Sequence, residues 1–441
     1  MKRLFKSKII LLLVLGILAL DISNDFPLVD IKETAIVVAL GVDKDGEEYE
    51  LSAQIAVPQA TSQAASYKAT VVSGKGRTPA LALESVGTHT GWYVKLSFCN
   101  VIVLGKGIFD GDVMECLDYF IRTDKMLDTA ELCATDATAK EILTTSTPLD
   151  DVSAFSASKI LERDAESASA VSFMNLKEFS MGYYSESGFS LMPKIKTESS
   201  LGAESHDDAS DKSKSEASGE GGSSGGNESS GNGGSGSSDG ESSGGSVSSG
   251  NGGSGSSGGN GEKNSGKKDK IFDANSTALF SKGVLAGELD DKETLVFNLI
   301  LHKTNETSLL LHDADFYGKE ADLMISLRDN SWKYRLKIED GRPILHVYLK
   351  AKARLDDTSR TVSPQTLSTS YSVPDNVLKD LETKIESELT EIFYKCKDLG
   401  CDAFRVRERL YRTQNDYFEG YKNTALKEAA VKVEVTAESY K

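Results

Sequence analysis

The chain has 441 residues, a formal net charge of −17 and a pI near 4.9. That length exceeds one ordinary core, so two or more domains are expected. The acidic balance excludes a nucleic-acid surface, which needs clustered Lys and Arg.

Lys2, Arg3, Lys6 and Lys8 precede a charge-free run of twelve residues, Ile9 to Leu20. A basic stretch followed by an apolar run of this length reads as an export signal, with everything after Asp21 outside the membrane. As a helix, twelve residues rise only about 18 Å, short of the roughly 30 Å hydrocarbon core. Ala19-Leu20-Asp21 is a poor cleavage site, so a cleaved signal and a retained short anchor both fit. No Cys precedes position 99, so attachment through a lipidated N-terminal cysteine is not expected.

From residue 35 the pattern is strand, turn, strand: AIVVALGVD, then Asp43-Lys44-Asp45-Gly46, then YELSAQIAV. Thr78 to Val86 predicts a helix with Ala80, Leu83 and Val86 facing the core. Cys99 to Leu104 reads as a buried strand ended by Gly105. Asp112 to Arg122 reads as a helix with Val113, Cys116, Leu117 and Phe120 on one side. Mixed strands and helices give a first α/β domain over 29–196, after the 1–28 signal or anchor.

Between Glu198 and Lys270 there is no Phe, Tyr or Trp, and 12 acidic residues against 6 basic give a net of −6. Such a Gly/Ser/Asn-rich stretch buries too little apolar surface to offset its ordering entropy, so 197–271 is expected to be a disordered linker. It reads either as a tether between mobile parts or as an insertion in a surface loop.

A second α/β domain is expected over 272–441. Ser276 to Phe297 reads as a hairpin turning at Lys282-Gly283, with Asp290-Asp291 as further turn chemistry. Two alternating stretches, Lys333–Ile338 and Val347–Arg354, bracket the turn Asp340-Gly341-Arg342-Pro343. On the second, Tyr348, Lys350, Lys352 and Arg354 share a face, a cationic stripe that reads first as a solvated sheet surface and second as a site for an anionic partner. After Pro374, Leu378, Leu381, Ile385, Leu389, Ile392, Phe393 and Cys396 recur at helical spacing, with Asp375 as N-cap and Gly400 as terminator. Val431 to Glu438 alternates as a closing strand.

Catalytic and metal motifs are missing from the pattern: there is no GxSxG, Walker A or HExxH sequence, and no dinucleotide fingerprint in a strand–helix setting. His89, His302 and His312 read as solvated. None of the five cysteines makes a CxxC pair, although the spacing of Cys396 and Cys401 across Gly400 permits a disulfide. The expectation is a protein without catalytic, cofactor-binding or metal residues, and not an enzyme.

Several stretches together resemble the spore germination protein C family, Ger(x)C. Asp30-Ile31-Lys32-Glu33 and Ala39-Leu40-Gly41-Val42-Asp43 resemble its mature start and first strand, with Leu28 and Val29 standing where the family carries Cys-Trp. Lys95 to Ile108, with Asn100 at a position that is frequently His in the family, Leu117 to Asp128 and Lys140 to Leu143 are similar to following segments. Thr277-Ala278-Leu279-Phe280, then Gly287, Leu289 and Glu293, resemble the family's later hairpin, and Asp402 to Tyr411 its closing helix region. The resemblance implies a mixed α/β multidomain protein on the outer face of the spore's inner membrane. It further implies the C subunit of a nutrient germinant receptor, assembled with membrane subunits A and B. An exported solute-binding protein is the alternative, although no cluster of aromatic and polar groups marks a ligand cleft.

Overall fold

The computed structural model describes residues 13–16, 33–60, 65–123, 125–147, 150, 152–167, 170–199, 270–301, 306–359 and 372–440. Residues 13–16 are helical; the rest of the expected export signal, the body of the Gly/Ser tract and His302 lie outside the described residues. Among the described residues, no helix is long and apolar enough to cross a membrane.

The first half runs β1 (Thr34–Asp45), β2 (Glu48–Ala60), β3 (Ala65–Gly76), α1 (Pro79–Thr90), β4 (Tyr93–Lys95), β5 (Val101–Leu104), α2 (Met114–Arg122), β6 (Glu131–Ala134), α3 (Ala139–Thr144), α4 (Ser153–Ser167), α5 (Leu176–Tyr183) and β7 (Phe189–Ser199). The second half adds β8 (Lys270–Ser281), β9 (Val284–Leu289), α6 (Asp291–Asn298), β10 (Thr307–Asp315), β11 (Glu320–Glu339), β12 (Arg342–Thr358), α7 (Asp375–Asp398), α8 (Val406–Thr413), α9 (Asn415–Tyr421), α10 (Ala425–Glu428) and β13 (Ala430–Ser439). The fold class is mixed α+β.

Two mixed sheets carry these elements. The larger has the order β3-β2-β1-β5-β6-β7-β8-β9, with β4 beside the start of β1. Its centre, β1-β5-β6-β7, is parallel, and the pairs on either side of it are antiparallel. All four residues of β5 are buried, as an interior parallel strand covered on both faces requires. Val101 and Val103 point into the layer made with α3 and α4, while Ile102 and Leu104 point into the main core.

The helix at 79–90 differs in phase from the sequence reading. Pro79, Ala82 and Val86 are buried, Ala80 is exposed and Leu83 half-buried. The cause lies in β3, where Gly74 and Gly76 open a slot. A Cβ on Gly74 would come within 2.4 Å of the Ala82 carbonyl and 2.6 Å of the Val86 amide, so the helix backbone rests directly on the strand.

β7 and β8 are antiparallel neighbours paired from Phe189↔Ser281 out to Ser199↔Lys270. Residues 200–269 therefore connect two positions held one strand spacing, about 5 Å, apart. The strands β8 and β9, over 270–289, belong to the same sheet as β7. The tract joins neighbours in one sheet.

The hairpin expected over 276–297 is shorter than the sequence reading. β8 and β9 turn at Lys282-Gly283, both at positive φ (50° and 75°), and Asp290 then caps α6 in a capping box with Glu293. The β11–β12 hairpin turns at Asp340-Gly341 as expected, and the Tyr421 hydroxyl closes that turn on the Gly341 carbonyl.

The smaller sheet has the order β10-β11-β12-β13, its last pair parallel. α7 covers one face with the predicted stripe of Leu378, Leu381, Ile385, Leu389, Ile392, Phe393 and Cys396. Its N-cap is the extended Pro374, so Asp375 sits in the first turn, where a carboxylate favours the helix dipole. Glu386 and Glu382, one turn apart, accept hydrogen bonds at 2.9 and 2.8 Å from the Val435 and Ala437 amides. These are the N–H groups that point away from β12, so the helix closes an edge otherwise open to pairing.

The two halves share one core. Phe404 packs between Phe393 and Phe297, at 5.2 and 5.5 Å between ring centroids. Leu399 fills the space left by the missing side chain of Gly287. All five cysteines are free and buried, including Cys396 and Cys401.

Candidate functional site

The junction between the larger sheet and the C-terminal helices holds a cleft of about 720 Å³ between α5 and α8. Two helices of opposite chemistry frame it. α5 starts at Asn175, whose side chain accepts from the Glu178 amide, and buries Leu176 and Phe179. Its other side carries Glu178 and Met181, and Tyr184 follows directly; the last two are 63% and 73% exposed.

α8 begins at a buried cap. Asp402, with no exposed surface, accepts hydrogen bonds from the Val406 and Arg407 amides at 2.7 and 2.9 Å. Burial lifts its carboxyl to about 6, against the pull of those two amides and of the Arg407 guanidinium. Arg407 lies 3.6 Å from Asp402 and donates to the Ser187 carbonyl at 2.7 Å, bridging the closing helix to the turn before β7. Val406 and Leu410 face the core, which turns Arg405, Glu408 and Arg412 toward the cleft. Glu408 pairs with Arg412 at 2.7 Å and lies 3.9 Å from Arg405.

The cleft thus offers apolar and aromatic side chains on one wall and an Arg-Glu-Arg line on the other. Two cations, Arg405 and Arg412, face two anions, Glu408 and Glu178. Beyond Arg412, Tyr411 packs on Phe418 at 5.1 Å, and both Tyr411 and Tyr417 are exposed. α9, which carries Tyr417, buries no residue. Such an open, amphipathic surface suits an apolar side chain presented by a partner protein, with the charges setting its orientation.

No group of metal ligands occurs among the described residues. Burial pushes the Cys99, Cys116 and Cys396 thiols up to about 12, and those of Cys133 and Cys401 higher, so they stay protonated at neutral pH. His89 ends α1 with its Nδ1 3.2 Å from the Ser73 carbonyl, and His312 is exposed, 3.3 Å from Asp322. Asn100 is exposed at the start of β5, and Asp290 serves as a helix cap. The structure brings none of these together. The cationic residues Tyr348 flanks (Lys350, Lys352 and Arg354) do share the uncovered face of the smaller sheet.

Sequence reading missed the cleft because its walls lie more than 200 positions apart. One local signal was present: an Asp followed four and five residues later by Val406 and Arg407, the spacing of a helix cap reached from outside the helix.

Comparison with known proteins follows the same division of the chain. Residues 28–197 match the Spore germination protein N-terminal domain, and residues 275–438 match Spore germination B3/GerAC like, C-terminal. No curated protein sequence matches the chain. Among solved structures it is similar to the crystal structure of the GerBC protein at 15% sequence identity and a TM-score of 0.47, covering 91% of this chain and 97% of that one. With both characteristic domains present in order, the chain belongs to the spore germination protein C family, the C subunits of germinant receptors.

Proposed function

We propose that this chain is the non-enzymatic C subunit of a nutrient germinant receptor, assembled with membrane subunits A and B on the outer face of the spore's inner membrane. The observation that carries this reading is the junction cleft, whose walls come from both family domains and whose rim exposes Met181 and Tyr184. An aromatic and thioether surface beside arginines has the make-up of a protein-binding hot spot. The subunit acts by docking, so its contribution to germination is stoichiometric. The 29–196 and 272–441 stretches supply the two family domains within one folded body, and the tract between them is an insertion that leaves docking untouched.

Spores lacking this chain test the reading. Loss of the response to at least one nutrient, restored by the wild-type chain and not by M181D/Y184D, is the expected result. Normal germination on every nutrient, in a strain also stripped of parallel receptors, overturns it.

A further inference from the structure

The smaller sheet is covered by α7 on one face only; no described element covers the other. Antiparallel pairing places Lys333 opposite Tyr348, Arg335 opposite His346 and Ser331 opposite Lys350 on that open face. The cations at its margins are neutralised within the face: Lys352 by Asp329 at 2.7 Å, Arg328 by Glu306 at 2.7 Å, Arg354 by Asp356 at 2.7 Å and Lys432 by Glu339 at 3.0 Å. Lys333, Arg335 and Lys350 form no ion pair among the described residues. All three are exposed, and with Trp332 and Tyr348 they line a shallow groove of about 420 Å³.

Lys333 and Arg335 are one pleat repeat apart, about 7 Å, and Lys350 lies diagonally across the ladder at about 7–8 Å from Lys333. No buried polar group lies in the groove to fix a single ion. The arrangement therefore meets a surface of distributed negative charge. A chain of net charge −17 approaches such a surface most readily through a face of opposite sign. Tyr348, set among these cations, carries a ring type that settles at headgroup depth, whereas Trp332, opposite the buried Leu349, packs against the core. The chain also carries the apolar run Ile9 to Leu20 behind four cations.

We propose that this face docks on anionic phospholipid headgroups, with Lys333, Arg335 and Lys350 as the contacting charges. The proposal rests on the membrane location argued above and adds the orientation of the folded body on it. Near an anionic surface each Lys or Arg contributes about 1 kcal/mol. Removing three is expected to lower the ratio of docked to undocked bodies roughly 100-fold.

The chain has two tryptophans, so W92F leaves Trp332 as the sole indole. Full-length W92F is reconstituted with phosphatidylcholine vesicles or with vesicles rich in phosphatidylglycerol, each carrying a dansyl headgroup lipid. Flotation reports membrane association, and energy transfer from Trp332, which adjoins Lys333 on β11, reports closeness of the sheet to the membrane. The expected result is flotation with both vesicles and higher transfer with the anionic one. High salt or K333E/R335E/K350E should abolish that excess without affecting flotation. Flotation with equal transfer in wild type and triple variant overturns the docking face alone. Absence of flotation overturns the membrane location with it. A Trp332 response to polyglutamate but not to anionic lipid also overturns the proposal, in favour of an acidic protein partner.

Discussion

Replacing residues 200–269 with a four-residue turn joining Ser199 to Lys270 should stabilise the protein. These two residues are cross-strand partners at the open end of a ladder that runs back to Phe189↔Ser281. Folding must therefore close a loop of about 70 residues. Closure entropy scales as three-halves RT times the logarithm of loop length, so going from 70 residues to four removes about 2.5 kcal/mol of that cost. The ladder and both core layers are unchanged by the replacement, so the slope of free energy against denaturant should stay the same. Urea unfolding followed by far-ultraviolet circular dichroism and by tryptophan emission measures both quantities. A single transition, shifted to higher urea with unchanged slope, is expected. Had the tract separated two independent bodies, shortening it would leave the midpoint unmoved or split the transition, and either result refutes the reasoning.

Further outcomes follow from the core, the edges and a buried carboxyl. Phe404→Ala removes the ring between Phe393 and Phe297 and should cost about 3–5 kcal/mol; because both halves lose packing together, unfolding should stay cooperative by calorimetry. E382A/E386A strips the Val435 and Ala437 amides of their acceptors. It should cost about 3 kcal/mol and produce concentration-dependent association in sedimentation velocity. Glu131, at the start of β6, is 4% exposed, and neither carboxylate oxygen has a hydrogen bond among the described residues. Burial pushes its carboxyl up to about 8, with the Glu162 charge adding. The unfolded chain loses this proton near pH 4.3, so the stability present below that pH falls as pH rises toward 8, by up to about 1.4 kcal/mol per unit. Glu131→Gln should flatten that slope and raise stability at pH 8 in urea titrations; an unchanged profile would show that the carboxyl ionises normally.

How much of this was legible in the sequence depended on the range of the cause. The stripe of α7, the turns at Lys282-Gly283 and Asp340-Gly341 and the helix before Arg122 follow from local periodicity and turn chemistry, and all appear as read. The phase of α1 did not, because it is set by Gly74 and Gly76 on a neighbouring strand. Likewise Asp290 looked like a turn residue until Glu293, three positions on, is seen to complete the cap. The partnership of β7 with β8 was hidden by the tract itself, whose length suggests separation where the ladder shows contact. Resemblance found the two family domains but not the cleft between α5 and α8, since its chemistry arises only when Met181 and Tyr184 meet Arg405 and Arg412.

Affinity purification of the tagged chain from spore inner membranes tests the receptor assignment most directly. Stoichiometric recovery of two other membrane proteins, one of them multi-span, with the wild-type chain and their loss with M181D/Y184D is the expected result. Recovery of the chain alone, or the same partners with both forms, would contradict it.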